Sequence, residues 1–397
     1  MTVFSLDGVC VLDVSQVMAG PFCSLLLADM GAEVIKIEKP NGGDDSRRMG
    51  PPFINGESAA FLAMNRNKRS LSINLKQSEG RALFRRLATR ADILVENFRP
   101  GTLDALGLGY ADLSAARPEL IYCSISGFGQ TGPYRERGGY DLVAQGMSGL
   151  MSITGHPGQP PVKVGVPIAD LNAGMYAVYG VLCAYIHRLR TGQGQLVDTS
   201  LFEGGLAYTM WESAIYFATG IAPPPMGSAH RLAAPYQTFR TADGYITVGA
   251  ANQANWEKLC AVLNREDLLT DSRFSDNPSR TSHSAKLAGE LEKVFVTHPT
   301  VKWLAQLDAA GIPAGPINDM AAVYSDPQVH ARAMMVELEH PRLGQVKNIG
   351  IPVKLSETPG AIRRAAPTLG QHTDEILNEL GLTCDEVTEL RVAKVVG

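Results

Sequence analysis

Residues 9–38 read VCVLDVSQVMAGPFCSLLLADMGAEVIKIE, and the fold prediction starts from them. Val9–Val14 is a short apolar run of the kind that forms a buried parallel strand. Phe22–Met30 has the pattern of a helix, and Gly31 follows in the position where helices commonly end. Glu33–Glu38 predicts a second strand. This strand–helix–strand order favours an α/β fold in which helices cover a parallel sheet.

The same alternation continues beyond this unit. Further strands are predicted at Ser70–Leu75, Ile93–Val95, Leu120–Ile125 and Val197–Leu201. Helices are predicted at Glu79–Arg90, Asn172–Arg190 and Glu203–Tyr216. After Pro223-Pro224-Pro225 the composition changes, as it does in a linker.

A second, smaller α+β region follows these prolines. Its predicted hairpin joins Tyr236–Phe239 to Tyr245–Gly249. Its predicted helices are Asn255–Leu263, Ser284–Val296 and Val301–Ala310. The region ends near Pro313–Pro316, and Gln371–Leu380 predicts a last amphipathic helix.

Composition limits the classes of protein to consider. The chain has 397 residues with 36 Lys+Arg and 40 Asp+Glu, and its formal net charge of −4 argues against a nucleic-acid-binding protein. It is 45% apolar and 19% charged, which excludes extensive disorder, and its length suggests two or three domains. The 40 Gly and 24 Pro indicate many tight turns or close approaches of backbone to ligand.

Cysteine, histidine and hydropathy patterns favour a cytoplasmic protein without a metal site. The six cysteines show no C-x-x-C spacing and the eight histidines no metal-ligand spacing, so neither a zinc site nor a disulfide framework is expected. The N-terminal segment lacks the features of a signal peptide. The longest apolar stretch, Ala173–Ile186, is too short to cross a bilayer and predicts a buried helix.

The segment Gly127–Gly132 matches the pattern G-x-G-x-x-G after a predicted strand. Dinucleotide binding would also need a helix directly after it and an acid about 20 residues further on, but Pro133 and a charged run follow and Asp141 comes too early. We interpret the segment as a glycine-rich loop beside a site, with a plain turn as the alternative. The patterns of serine hydrolases and P-loop NTPases do not occur.

Asp170 interrupts the apolar segment Val166–Gly174, where a helix is predicted to begin. One interpretation is an N-cap, whose carboxylate accepts hydrogen bonds from free backbone amides. The other is a nucleophile that attacks an activated acyl carbon and holds the acyl group covalently. The two are compatible, because a helix N-terminus would keep the carboxylate ionised.

Basic residues crowd the N-terminal part of the predicted sheet. They are Lys36, Lys39, Arg47, Arg48, Arg66, Lys68 and Arg69. A solvated surface charge is the ordinary interpretation of each one. Clustered on loops at the strand ends of an α/β sheet, they could instead receive phosphates.

Motifs in order along nearly the whole chain resemble the class III CoA-transferases, the family that includes formyl-CoA and carnitine CoA-transferases. The matching segments are Gly8–Asp13, Ala19–Pro21, Gly31–Glu38, Asn67–Ser70, Val95–Gly101, Ser126–Tyr134, Ala169–Leu171, Gly192–Gly194, Gly311–Pro313 and Leu369–Thr373. The resemblance implies a Rossmann-like large CoA-binding domain formed by residues 1–224 and 326–397, with a small α+β domain at 225–325 inserted between them. It also implies an interlocked homodimer.

The resemblance assigns the family's nucleophilic aspartate to Asp170. This carboxylate would attack a donor acyl-CoA thioester to give a mixed anhydride and CoA thiolate. The thiolate would then form an enzyme-bound thioester, from which the acceptor carboxylate collects the CoA. Coenzyme A is therefore implied as substrate, with no metal or redox cofactor. Neither nucleic acid nor a membrane is implied as partner.

Site residues carry over position by position from the same resemblance. The implied CoA contacts are Val17, Met18, Ala19, Lys39, Ile73, Leu75, Lys76, Asn97, Phe98 and Arg99. The implied substrate-side loop residues are Gly127, Gly129, Gln130 and Tyr140. Two positions where the family has a basic residue are Ala105 and Gly138 here, and Arg99 and Arg137 are the nearest replacements.

Two further segments bear on the substrate. Related α-methylacyl-CoA racemases have a Gly-His-Asp motif where this chain has Gly139-Tyr140-Asp141. Tyrosine, with a pKa of about 10, is a poor base at neutral pH, which disfavours a racemase. The segment around His230 and Arg231 resembles branches that use dicarboxylates such as succinate. Arg231 could pair with a distal carboxylate with help from His230, and polar surface residues are the alternative.

The sequence thus predicts a CoA-transferase that moves CoA from an acyl-CoA such as succinyl-CoA to a free carboxylic acid, most simply a dicarboxylate. A racemase or epimerase is the second hypothesis. A non-catalytic CoA-binding protein is the third.

Overall fold

The computed structural model of the chain describes residues 3–397. The strands are β1 (Cys10–Asp13), β2 (Glu33–Glu38), β3 (Phe53–Ile54), β4 (Glu57–Ser58), β5 (Lys68–Ser72), β6 (Ile93–Glu96), β7 (Ile121–Ser126), β8 (Leu196–Ser200), β9 (Tyr236–Arg240), β10 (Tyr245–Gly249), β11 (Ala314–Pro316), β12 (Met335–His340) and β13 (Gly344–Ile349). The α-helices are α1 (Ala19–Asp29), α2 (Ala59–Met64), α3 (Ser78–Ala88), α4 (Tyr110–Ala116), α5 (Asp141–Met147), α6 (Leu150–Ile153), α7 (Ile168–Thr191), α8 (Leu201–Ala207), α9 (Met210–Thr219), α10 (Gln253–Val262), α11 (Asp267–Thr270), α12 (Asn277–Ser282), α13 (Ser284–Phe295), α14 (Thr300–Ala309), α15 (Met320–Ser325), α16 (Pro327–Ala331), α17 (Thr373–Glu379) and α18 (Cys384–Val392).

The chain divides into two compact units. The large unit consists of residues 3–150, 163–214 and 327–397, and the small unit of residues 151–162 and 215–326. The small unit therefore starts before the expected residue 225 and includes a segment that the sequence did not suggest. None of the helices within residues 3–397 has both the length and the apolar character needed to cross a membrane.

The described part of the large unit contains a six-stranded parallel sheet in the order β5-β2-β1-β6-β7-β8. Numbered within the sheet this order is 3-2-1-4-5-6, the order of Rossmann folds. The direction of winding reverses between β1 and β6, where Asp13 lies opposite Val95. Ligands of such sheets bind in the crevice outside the carboxyl ends of the strands at this reversal. The prediction of an α/β fold with a parallel sheet is confirmed.

Helices cover both faces of this sheet. On β1, Val11 packs with residues of α1 and α7, whereas Leu12 packs with residues of α3 and α17 on the opposite face. Both side chains are fully buried, and each contributes about 1.5–3 kcal/mol to the free energy of unfolding. Burial on both faces explains why β1 and β6 are short apolar runs rather than alternating ones.

One local prediction was wrong and one element was missed. The single helix expected at Glu203–Tyr216 is two helices, α8 and α9, separated at Tyr208–Thr209. The Thr209 hydroxyl donates to the Leu206 carbonyl oxygen at 2.8 Å, a local bond that competes with helix continuation. The antiparallel hairpin β12–β13, with Met335 opposite Ile349, was not predicted at all.

The small unit has its own sheet and core. Strands β11, β10 and β9 form an antiparallel sheet in that order, and its β9–β10 hairpin was predicted from the sequence. The core beneath it includes Trp256, Phe295 and Trp303, all buried.

Candidate active site

The loops after β1 and β6 are joined at the point where the sheet reverses. The Gln16 backbone N–H donates to Asn97 Oδ1 at 2.8 Å, and Asn97 Nδ2 donates to the Gln16 carbonyl oxygen at 2.8 Å. The structure therefore brings two of the predicted CoA-contacting segments, Val17–Ala19 and Asn97–Arg99, to one place. Gln16 was missed in the sequence reasoning, although it directly precedes a residue that was chosen.

The loop after β1 is held in an unusual conformation. Val17 has φ +66°, which a β-branched residue rarely adopts. Its N–H donates to Asp44 Oδ1 at 3.0 Å, and the Ser15 carbonyl oxygen accepts from Lys36 Nζ at 3.0 Å. Gly20 is needed beneath the loop because a Cβ there would lie 2.2 Å from Ser15 Cβ. These contacts fix the loop backbone independently of any ligand.

A buried set of alternating charges supports this loop. Asp13 accepts from Lys68 Nζ at 2.9 Å and lies 3.8 Å from Lys36 Nζ, while Lys36 contacts Asp44 at 2.8 Å. Burial alone would raise the pKa of Asp13, but Lys36 and Lys68 hold that pKa well below its usual range. Burial lowers the pKa of Lys68 to about 8, although Asp13 opposes this shift. We call Asp13, Lys36, Asp44 and Lys68 the paired network.

The paired network corrects the phosphate interpretation of the basic cluster. Five of the seven basic residues are bound to carboxylates: Lys36 and Lys68 as above, Arg47 to Glu38, Arg66 to Asp29, and Arg69 to Glu33, Glu375 and Glu379. Four of these five are buried and Arg47 is half-buried. Their charges are neutralised and their side chains are closed to solvent. Lys39 and Arg48 remain exposed, and both contact Asp45 at 2.7 Å.

The implied adenine-side residues lie after β5. Lys76 is exposed and Leu75 half-buried. Ile73 is 1% exposed and packs in the hydrophobic core, and its assignment as a CoA contact stays a prediction. The local sequence does not indicate which of the two apolar side chains, Ile73 or Leu75, is fully buried.

The glycine-rich loop, Gly127–Gly132, packs against the segment that carries Tyr140. A Cβ on Gly139 would lie 2.5 Å from the Gly127 Cα, so both positions require glycine for this approach. Tyr140 is 81% exposed. A Cβ on Gly138 would lie 3.1 Å from Arg99 Nη2, so the Arg99 guanidinium occupies the space beside a position that is basic in the family pattern.

Arg137, the other replacement considered, is engaged with aromatic rings. Its guanidinium lies 4.8 Å from the Tyr134 ring centroid and 5.6 Å from that of Phe128. These cation–π contacts keep the charge near the glycine-rich loop. Arg99 is therefore the better placed of the two beside Gly138.

Asp170 lies in the first turn of α7, at its third residue. The N-cap interpretation is wrong: the cap residue is Pro167, and Asp141 supplies the acceptor instead, taking the Ala169 N–H on Oδ1 at 2.9 Å. Asp141 is held in turn by Gln145 Nε2 at 2.7 Å. Asp141 was missed as a supporting residue because it lies far from Asp170 in sequence.

The environment of Asp170 favours a carboxyl group that gains and loses its proton near neutral pH. Its carboxylate accepts no hydrogen bond from residues 3–397. Burial, reinforced by the neighbouring Asp141 charge, raises the pKa of Asp170 to about 7. The expectation that the helix terminus keeps it ionised is therefore not met below that pH.

A close helix contact puts Asp170 near the β1 loop. One turn further along α7, a Cβ on Gly174 would lie 2.6 Å from the Ala19 carbonyl oxygen. Residues four apart share one face of a helix, so Asp170 projects on the side where α7 meets the start of α1. The nucleophile candidate thus lies on the side of α7 that approaches the Val17–Ala19 segment.

His230 and Arg231 belong to the small unit. His230 Nδ1 accepts from the Leu232 N–H at 3.0 Å, and its ring contacts that of Tyr236 at 5.1 Å between centroids. Arg231 donates to the Pro224 carbonyl oxygen at 2.7 Å. Within residues 3–397, no group of three His, Cys, Asp or Glu side chains is arranged to hold a metal ion.

Comparisons with known proteins agree on one family. The family model described as CoA-transferase family III matches residues 6–373. The chain is 41% identical over 375 residues to human succinyl-CoA:glutarate CoA-transferase, covering 94% of this chain and 86% of the human protein. It is 38% identical over 388 residues to succinyl-CoA:mesaconate CoA-transferase of Haloarcula marismortui, covering 95% and 97%.

A solved structure gives the same result. A CAIB/BAIF family protein from Brucella suis superposes with a TM-score of 0.86 at 41% identity, covering 96% of this chain and 100% of that one. With the motifs, the Rossmann strand order and the family model in agreement, the chain belongs to CoA-transferase family III and is an enzyme that transfers CoA.

Proposed function

We propose that this enzyme moves CoA from succinyl-CoA, or a similar acyl-CoA, to a free dicarboxylate, with Asp170 as the nucleophile. The observation that carries the proposal is the Asp170 carboxyl group itself, which is half-buried, lacks hydrogen bonds from the described residues and has a pKa raised to about 7. The names of the relatives, which act on succinyl-CoA with glutarate or mesaconate, support the substrate class.

The proposed reaction proceeds through four exchanges at acyl carbons. Asp170 attacks the donor thioester, a C–O bond forms, the C–S bond breaks, and CoA leaves as thiolate. The thiolate then attacks the Asp170 acyl carbon of the anhydride, which releases the donor acid and leaves an aspartyl-CoA thioester. The acceptor carboxylate attacks this thioester, which breaks the C–S bond, releases CoA thiolate and forms a second anhydride. The thiolate finally attacks the acceptor acyl carbon of that anhydride, which gives the acceptor CoA ester and restores the Asp170 carboxylate.

Local electrostatics favour this role above about pH 7. A carboxylate without hydrogen bonds from the protein and partly removed from water needs less desolvation before it attacks. The N-terminal end of α7 carries the partial positive charge of the helix dipole, which stabilises negative charge that develops on the attacked carbonyl oxygen. The Asp141 contact with the Ala169 N–H fixes the start of α7.

The binding roles follow the geometry of the large unit. Val17, Met18, Ala19, Asn97, Phe98 and Arg99 would line the crevice for CoA at the sheet reversal, and Lys39, Leu75, Lys76 and Arg137 would contact it further out. Gly127, Gly129, Gln130 and Tyr140 would flank the acyl group. In the small unit, Arg231 and His230 would receive the distal carboxylate of the substrate.

We also propose a homodimer, interlocked as the family resemblance implies. Helix α7 carries a stripe of large apolar side chains at intervals of four and three residues, and all are more than a third exposed: Met175, Tyr179, Leu182, Ile186 and Leu189. Such spacing is typical of a helix that packs against another helix. Tyr179→Glu with Leu189→Glu should yield monomers in light scattering, whereas His187→Glu, exposed but off the stripe, should not.

The central test uses mass spectrometry of CoA esters formed from succinyl-CoA and a panel of dicarboxylates. Wild type should form the acceptor CoA ester, and without acceptor it should carry a CoA adduct on the peptide containing Asp170. Asp170→Ala should lose both. Asp112→Ala is the matched control, because Asp112 is an exposed acid at the same position in the first turn of α4.

Full turnover by Asp170→Ala would contradict the covalent route. Deuterium entering the α-carbon of an acyl-CoA without an acceptor acid would favour the racemase alternative. The cytoplasmic location and the absence of a metal or redox cofactor stay predictions.

A further inference from the structure

A row of polar side chains crosses three strands at the carboxyl edge of the sheet. Glu96 of β6 lies opposite Ser124 of β7, and Ser124 lies opposite Asp198 of β8. Side chains at registered positions of neighbouring parallel strands point to the same face. Glu96 and Ser124 are buried and Asp198 is exposed, so the row runs from the interior of the sheet to its surface.

The Asn97–Arg99 segment and the glycine-rich loop are both hydrogen-bonded to this row. The Ser124 hydroxyl bonds to Glu96 Oε1, and the Phe98 N–H donates to Glu96 Oε2 at 2.7 Å. Gln130 Nε2 donates to Ser124 Oγ at 2.6 Å, and the Gln130 N–H donates to Asp198 Oδ2 at 3.1 Å. Glu96 therefore contacts the Asn97–Arg99 segment directly and the glycine-rich loop through Ser124.

The groups that face Glu96 are acidic. They are Asp104, from the loop after β6, and Asp198. Burial, together with these charges, raises the pKa of Glu96 to about 7 despite the bonds from Ser124 and Phe98. Buried carboxyl groups without a cation add little to stability. The row therefore serves to position the two loops that are hydrogen-bonded to it rather than to stabilise the fold.

We propose that Glu96 is a positioning residue that couples the Asn97–Arg99 segment to the glycine-rich loop through Ser124 and Gln130, so that both engage the CoA thioester together. This inference rests on the proposed CoA-binding roles of the two loops. It does not depend on Asp170 as nucleophile, because its test is the binding of free CoA.

The test is a mutant cycle read by calorimetry with free CoA. Arg99→Ala probes one loop and Gln130→Ala the other. If the loops are coupled, the loss of affinity in the double variant should differ from the product of the two single losses by about threefold or more. In an added Ser124→Ala background, which removes the link but little volume, the losses should multiply.

Glu96→Ala should weaken CoA binding about tenfold or more, and Glu96→Gln should retain affinity within about threefold, since its amide can donate to Ser124 while its oxygen accepts from Phe98. Glu96→Gln should also remove one ionisation near pH 7 from the pH profile of CoA binding. A merely structural role would not move that profile.

Independent losses with Ser124 intact, or unchanged CoA affinity in both Glu96→Ala and Ser124→Ala, would overturn the proposal. If Glu96→Ala does not fold, Ser124→Ala and Glu96→Gln decide the question alone. Failure of Asp170→Ala to abolish turnover, with this coupling intact, would contradict only the covalent mechanism.

Discussion

The two halves of the sheet edge, on either side of the β1–β6 reversal, shift the pKa values of their carboxyl groups in opposite directions. On the β1 side, the paired network gives each carboxylate a lysine, and the pKa values of Asp13 and Asp44 fall below their usual range. On the β6 side, Glu96 and Asp198 have raised pKa values and no ion-pair partner within residues 3–397.

Burial acts in the same direction on both halves, so the lysines decide the difference. The β1 half is a support in which lysines compensate the charges of the carboxylates, so the carboxylates stay ionised. On the other half the pKa of Glu96 is raised to about 7, as is the pKa of Asp170 on α7. A site built this way keeps its binding loop fixed while its reactive group remains chemically adjustable.

The largest expected effect comes from breaking the compensated half. Lys36→Met leaves Asp13 and Asp44 short of a cation inside the protein and should lower the free energy of unfolding by about 3–5 kcal/mol. Lys39→Met is the control, because its ion pair with Asp45 is exposed and should be worth at most about 1 kcal/mol. Chemical denaturation measures both, and equal losses would remove the distinction between the halves.

A second effect is the sign of the pH dependence of stability. Asp44 has a lowered pKa in the folded state, so its contribution is present above its ordinary value near 4 and is lost as pH falls. Asp170 has a raised pKa, so its contribution is present below about pH 4 and is lost as pH rises through about 7.

Thermal unfolding of two variants between pH 3 and 8.5 tests this contrast. Relative to wild type, Asp170→Asn should gain stability as pH rises, on the order of 2 kcal/mol by pH 8 after allowance for partial solvation. Asp44→Asn should lose stability over the rise from pH 3 to 5. Parallel curves for the two variants would contradict the assignment.

The smallest effect concerns the rate of the covalent step. Asp141→Asn removes the charge that helps burial raise the Asp170 pKa, and its amide oxygen can still accept from the Ala169 N–H. The midpoint of the pH profile for enzyme–CoA adduct formation should therefore move down from about 7, by about one pH unit. The exposed variant Asp45→Asn should leave the midpoint in place.

The fold was largely accessible from the sequence, because β1, β2 and the hairpin β9–β10 are strong local patterns. Asp170 was found because an acid in an apolar segment is conspicuous. Its charged neighbour Asp141 was missed, since Asp141 lies on α5 and comes close to Asp170 only through tertiary packing. Lys36 was taken for a surface charge for the same reason: its burial depends on Asp13 and Asp44, which no local pattern connects to it.

The burial of Lys68 protects its amine from unwanted acylation by acyl-CoA thioesters. Thioesters acylate uncharged amines, and with a pKa of about 8 roughly half of the Lys68 amines are uncharged at pH 8. The nitrogen is nevertheless inaccessible, because the side chain is 0% exposed and it donates at 2.9 Å to Asp13, Asn65 and the Pro21 carbonyl oxygen. During long incubation with succinyl-CoA, stray acylation should accumulate on exposed lysines such as Lys76 and spare the lysine beneath the binding loop.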